Sequence, residues 1–252
     1  MLKKDRLIRF DWAIKHILRD KANFDILEGF LSAVLREEVT VIQILESESD
    51  RELEHLKYNR VDILIKDSQG RYLIIEVQNQ YESDYLHRLL FGTSKVIIDT
   101  LELGQPYSRI AKVISISILY FNLGSGDDYV YYGSTKFFGL HTNQPLKLHK
   151  REQTNEHFYV REVNVEQEIF PEYYLIQVER FENVINSPLD EWIYMLKNEK
   201  VREDFSARNI DRAREKLSTM QMGEKERRRY EKYLMNLASE RDIMESAHQE
   251  GR

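Results

Sequence analysis

No cysteine occurs among the 252 residues, and prolines (four) and glycines (ten) are few. The first absence excludes disulfides and thiolate metal sites and fits a reducing compartment, so a cytoplasmic location is expected. The scarcity of proline and glycine argues against long disordered linkers. No apolar run approaches the ~20 residues of a membrane span. None of roughly 7–15 residues follows the basic start Met1-Leu2-Lys3-Lys4-Asp5, so neither a membrane anchor nor a secretory signal is expected. The seven histidines include no pair one helical turn apart, which makes a zinc site a poor expectation. A Gly-rich phosphate loop and a Ser-centred nucleophile motif are also missing. What is present can build a core: 42% of residues are apolar, and 26 are Phe or Tyr. A chain this long makes one large domain, or one domain and an appendage. The net charge of −6 is unfavourable for broad contact with nucleic acid. Residues 1–21 are locally basic, with seven Lys/Arg against three Asp/Glu, while residues 36–60 are acidic. Any nucleic-acid footprint is therefore expected to be local.

The most informative segment runs from Arg60 to Gln78. Two β-branched runs, Val61 to Lys66 and Tyr72 to Val77, flank Asp67-Ser68-Gln69-Gly70, which predicts a β-hairpin. Asp67 suits the first position of a type I turn, and Gly70 suits the left-handed residue that closes a three-residue loop. If Ser68, Gln69 and Gly70 form that loop, Asp67 faces Arg71, and counting back brings Asp62 opposite Glu76. Cross-strand partners point to one side of a sheet, and Gln78, two residues on, shares it. Two carboxylates and an amide thus converge amid Ile, Leu and Val. Ionised carboxylates there cost several kcal/mol each unless paired or metal-bound. The structural alternative is that Asp62 pairs with Arg60, Lys66 or Arg71, Glu76 with a cation, and Gln78 with backbone.

Apolar spacing places helices after Asp11 and near Phe24 to Arg36, a strand at Val39 to Leu45, and a polar connection at Glu46 to Lys57. After the hairpin, a helix runs from Ser83 or Asp84 to about Glu102, and Val113 to Phe121 is a strand buried on both faces. The order is α-β-β-β-α-β. Strand, helix and strand in succession favour a parallel crossover. Tyr129 to Phe138, His157 to Val163 and Tyr174 to Phe181 read as further strands. After Asn186-Ser187-Pro188 the pattern turns helical, with Ser187 as cap and Pro188 in the first turn. Helices are expected near Leu189 to Leu196, Ser206 to Met220, and Glu224 to His248. The last carries Tyr230, Leu234, Leu237 and Met244 along one stripe.

Asp62 with Glu76-Val77-Gln78, inside this order, resembles the PD-(D/E)XK nuclease superfamily and, more closely, its recombination-promoting nuclease / transposase branch. In that branch a Glu-x-Gln replaces Glu-x-Lys. The likeness extends to Asp11-Trp12-Ala13-Ile14-Lys15, to Phe30 to Leu35, to Tyr85-Leu86-His87-Arg88 with Ser94-Lys95, and to the strand beginning at Val113. It covers roughly the first 180 residues. The resemblance implies a restriction-endonuclease-like core, a mixed sheet flanked by helices, over residues 1–182, with a helical C-terminal region at 183–252. It implies a metal-dependent DNA endonuclease associated with recombination or mobile DNA. Asp62 and Glu76 would hold Mg²⁺, for which Mn²⁺ can substitute, with the Val77 carbonyl as a third ligand and Gln78 completing the catalytic set. Gln78 orients a water but brings no positive charge, which leaves that role to Arg88 or Lys95 on the next helix. The alternative function is a nuclease fold retained for binding or regulation without turnover. Glu28 and Lys15 are weaker candidates, and Asp11 is expected to cap a helix. DNA is the expected partner, with a homodimer formed through the C-terminal helices. Glu250-Gly251-Arg252 resembles the Glu/Gly/Arg-rich tails of the branch, which implies a longer natural chain.

Overall fold

The structure is a computed structural model that describes residues 7–45, 62–101, 104–153, 158–164 and 169–250. The expected polar connection at Glu46 to Lys57 lies outside the described residues. Strands β1 (Val41–Leu45), β2 (Ile63–Asp67) and β3 (Tyr72–Gln78) pair antiparallel in sequence. Helix α3 (Tyr85–Asp99) then connects β3 to β4 (Val113–Leu119), which pairs parallel to β3. Strand β8 (Glu172–Gln177) adds parallel to β4, and β5 (Val130–Ser134) closes the far edge antiparallel to β8. The result is a mixed six-stranded sheet, order β1-β2-β3-β4-β8-β5, flanked by helices.

Every residue of β4 is buried, as expected for a central strand whose Val-Ile-Ser-Ile-Ser-Ile-Leu sequence does not alternate strictly. Strands β6 (Lys147–Gln153) and β7 (Phe158–Asn164) pair separately as a two-stranded sheet. The sequence pattern missed β6, because Lys147 to Gln153 is mostly polar and carries little apolar alternation.

The hairpin follows its turn chemistry. Ile63 faces Ile75 and Lys66 faces Tyr72, the register obtained by counting from the turn. Asp67 fixes that turn: its Oδ1 accepts from the Gln69 and Arg71 N–H groups at 3.0 and 2.8 Å. Its Oδ2 accepts from Arg71 Nε at 2.7 Å. Gly70 has φ +78°, a conformation that side chains other than glycine's rarely adopt.

The contacts divide the chain into two compact units, Leu35–Val184 and Met1–Val34 with Ile185–Arg252. This differs from the expected 1–182 and 183–252 division, because the first helices group with the C-terminal ones. That unit contains α1 (Phe10–His16), α2 (Phe24–Leu35, all but its last residue), α4 (Pro188–Asn198), α5 (Ile210–Lys216) and α6 (Glu224–Glu250). Ser187 caps α4 as expected, accepting from the Asp190 N–H, with Pro188 following. Helix α5 is shorter than the expected 206–220. In α6, Tyr230 is buried and its hydroxyl accepts from the Arg9 N–H at 2.9 Å. Leu234 and Leu237 are half-buried, and the Met244 side chain lies outside the described set. Asp11 does not cap α1; Arg9 holds that position. Instead the Asp11 carboxylate is a buried acceptor for Trp12 N–H at 2.8 Å, Arg9 Nε at 3.3 Å and the Tyr233 hydroxyl.

Candidate functional site

The hairpin and α3 build the site. Asp62 immediately precedes β2, and its Oδ2 accepts from the Val77 N–H at 2.8 Å. The carboxylate thus takes a strand N–H just before β2 begins, next to Glu76 in sequence. Glu76 is 4% exposed and aligns with Ser117 of β4. Gln78 lies two residues further along the same side. Helix α3 covers that side, packing Val96 against Ile74 and Val113.

Four polar side chains form a connected chain there. Arg88 Nη2 bonds to Glu76 Oε1. Arg88 Nη1 bonds to Glu82 Oε1 at 2.8 Å and Oε2 at 3.1 Å. Glu82 Oε1 also accepts from Gln78 Nε2. Burial pushes the Glu76 carboxyl up to about 7; Arg88 opposes that rise, while the charges of Asp62 and Glu82 add to it. The buried Tyr85 and Ser117 hydroxyls have no hydrogen-bond partner among the described residues. Burial first, then the Glu76 charge, raises the Tyr85 pKa.

The two cations considered for the site separate cleanly. Arg88 reaches Glu76, whereas Lys95 is half-exposed and pairs with Asp99 at 3.1 Å. Arg71, a candidate partner for Asp62, is engaged with Asp67 and Glu37. Lys66 lies over the Tyr72 ring, 5.6 Å from its centroid. Glu28 and Lys15 sit in the other compact unit. Glu82 escaped sequence reasoning because it falls in the turn before α3, outside any strand or helix pattern. Its spacing, four residues after Gln78 and six before Arg88, was the available signal.

A family model described as PD-(D/E)XK nuclease family transposase matches residues 8–247. The chain belongs to that family. No curated protein and no solved structure matches it. Membership and the mixed sheet together support a nuclease or transposase-related role.

PD-(D/E)XK nucleases generally use divalent metals, and the donor chemistry here suits one. Asp62 and Glu76 carry hard carboxylate oxygens, and Mg²⁺ needs only one or two carboxylates besides waters and substrate oxygens. No group of three His, Cys, Asp or Glu side chains among the described residues forms a ready cage. A two-carboxylate site remains consistent with that. The strand supplies no cation at this position, because Gln78 is neutral. No helix among the described residues is long and apolar enough to cross a membrane.

Proposed function

We propose that this PD-(D/E)XK nuclease family transposase is a Mg²⁺-dependent DNA endonuclease acting in recombination or on mobile DNA. The observation that carries this reading is the hairpin register. It pairs Ile63 with Ile75, and the Asp62 carboxylate, one residue before, bonds to the Val77 N–H between Glu76 and Gln78, in a chain matched by the family from residue 8 to 247. Asp62, Glu76 and the Val77 carbonyl would hold the metal. When bound, a divalent cation supplies Lewis-acid activation of water and braces the leaving oxygen. Gln78 accepts a hydrogen bond from the attacking water and orients it. The water oxygen bonds to phosphorus, one bridging P–O bond breaks, and the departing oxygen gains a proton. Asp62→Ala or Glu76→Ala abolishes Mg²⁺-dependent nicking of plasmid DNA, with circular dichroism unchanged. Full activity in either variant places the site elsewhere.

One observation favours a second reading, a nuclease fold that binds without turning over. Glu76 is already bonded to Arg88, so a metal must share or take that carboxylate. Purified wild-type chain that nicks no DNA with Mg²⁺ or Mn²⁺ supports this alternative. As to partners, we propose a homodimer through residues 224–248, which would bring two sites to two strands.

A further inference from the structure

We propose that Glu82 is a positioning residue, holding the Gln78 amide and the Arg88 guanidinium on the Glu76 side of the sheet, so that Arg88 supplies the positive charge Gln78 lacks. This rests on the endonuclease reading of the same site. A carboxylate can only accept hydrogen bonds, so Glu82 must meet Gln78 through its NH₂ group. That fixes the amide's orientation and leaves its carbonyl oxygen as the acceptor for water. The same carboxylate takes Arg88 Nη1 with both oxygens, at 2.8 and 3.1 Å. Among the described residues, Glu82 and Glu76 both anchor Arg88.

The two anchors differ in what else they must do. Glu76 is a proposed metal ligand; Glu82 is not. A metal held by Glu76 would compete with Arg88 for that carboxylate and would leave the Glu82 contact in place. Arg88 would then remain on Glu82, and the Nη2 group that Glu76 held would turn to phosphate oxygens. A planar guanidinium with five donors suits that double duty, which a single ammonium could not reproduce with the same geometry. The cation reaches the site from α3, as the fourth residue of that helix, and not from β3.

This makes predictions of opposite sign. Arg88→Ala removes a competitor from Glu76, so Mn²⁺ binds more tightly by calorimetry, while kcat for plasmid nicking falls about 100-fold or more. Glu82→Ala lowers kcat by about 10- to 100-fold, the scale typical of an orienting partner behind a metal ligand. Because Glu82 acts in large part through Arg88, the double variant loses less than the product of the two single losses. Gln78→Lys, which returns a cation to β3, restores part of the activity lost in Arg88→Ala. Glu82→Gln keeps an acceptor for Gln78 but loses the charge, so it falls between wild type and Glu82→Ala. Lys95→Ala is the control and nicks at the wild-type rate.

The proposal is overturned by wild-type kcat in Glu82→Ala, by multiplicative losses in the double variant, or by unchanged or weaker Mn²⁺ binding in Arg88→Ala. Should Glu82→Ala fail to fold, Glu82→Gln and Arg88→Ala decide by the same readings. The endonuclease reading fails separately, if the wild type nicks no DNA or Asp62→Ala nicks normally. In that event the Mn²⁺ comparison between wild type and Arg88→Ala still decides whether Arg88 competes for Glu76.

Discussion

Asp25 and Gln78 show how differently single side chains are used in this molecule. Gln78 contributes little to the core, being half-exposed at the end of β3. Its proposed value is chemical, and Gln78→Ala is expected to slow nicking by about 100-fold, the scale of a lost water-orienting group. Mn²⁺ affinity, measured by calorimetry, stays near wild type because the ligands remain. Asp25 is structural. Burial alone raises its pKa, but hydrogen bonds to Lys216 and Arg212 and the Lys216 charge outweigh that, so the net shift is downward. Lys216 Nζ lies at 3.1 Å and Arg212 Nε at 3.2 Å. A carboxyl with a depressed folded pKa stabilises fully above its ordinary range and loses that contribution as pH falls through the lowered value. Asp25→Asn therefore lowers Tm at pH 7 by an amount worth about 0.5 kcal/mol, given the partial exposure of the pair. The difference between variant and wild type narrows as pH drops below about 4. An equal difference at pH 3 and pH 7 contradicts this account.

Helices in the unit containing both chain ends pack through small clearances. Gly29 on α2 is the tightest case: a Cβ there would lie 2.8 Å from the Trp192 ring on α4 and closer still to the Arg208 carbonyl oxygen. Neither backbone nor a fully buried indole can yield cheaply. Gly29→Ala is expected to destabilise by about 1–3 kcal/mol despite alanine's better helix propensity. Urea unfolding measures this, and a neutral or stabilising result shows that α2 and α4 can separate at small cost. The start of α4 rests on Ser187 and Asp190, whose carboxylate accepts from the Asn186 N–H at 2.8 Å and from the Ser187 hydroxyl at 2.9 Å. Ser187→Ala should cost about 1 kcal/mol in the same measurement, the usual value of an N-cap.

For the whole molecule, α6 links stability and assembly. Its first part completes the unit's aromatic cluster: Tyr230 and Tyr233 lie 5.5 and 5.2 Å from Trp12, centroid to centroid. The helix of 27 residues extends about 40 Å at 1.5 Å per residue. Met235 and Ile243 on it are exposed. Cutting at Met222 would uncover Trp12, so a chain ending at Ala238 tests the proposed homodimer better. Light scattering should give a dimer for the full chain and a shift toward monomer for the shortened one. A full-length monomer at micromolar concentration, or a dimer unaffected by the cut, refutes it.

Local chemistry made the hairpin legible in the sequence. Asp67 and Gly70 define the turn, and a period of two residues then determines which side chains share a side, so the Ile63–Ile75 register could be counted. The Ser187 cap and the buried β4 were legible for the same reason: each is determined within a few residues. Tertiary structure alone decided the rest. Arg88 meets Glu76 and Glu82 only because α3 returns across the sheet at one particular rotation, which apolar spacing does not specify. Asp11 reads as a cap in sequence but is drawn into the core by Tyr233, 222 residues away. The grouping of the first helices with the last follows from buried aromatic contacts such as Phe30 with Trp192, set by shape and burial between distant segments. Interactions within one turn or one ladder are written in residue order. Interactions between elements depend on how those elements pack, and residue order does not encode that directly.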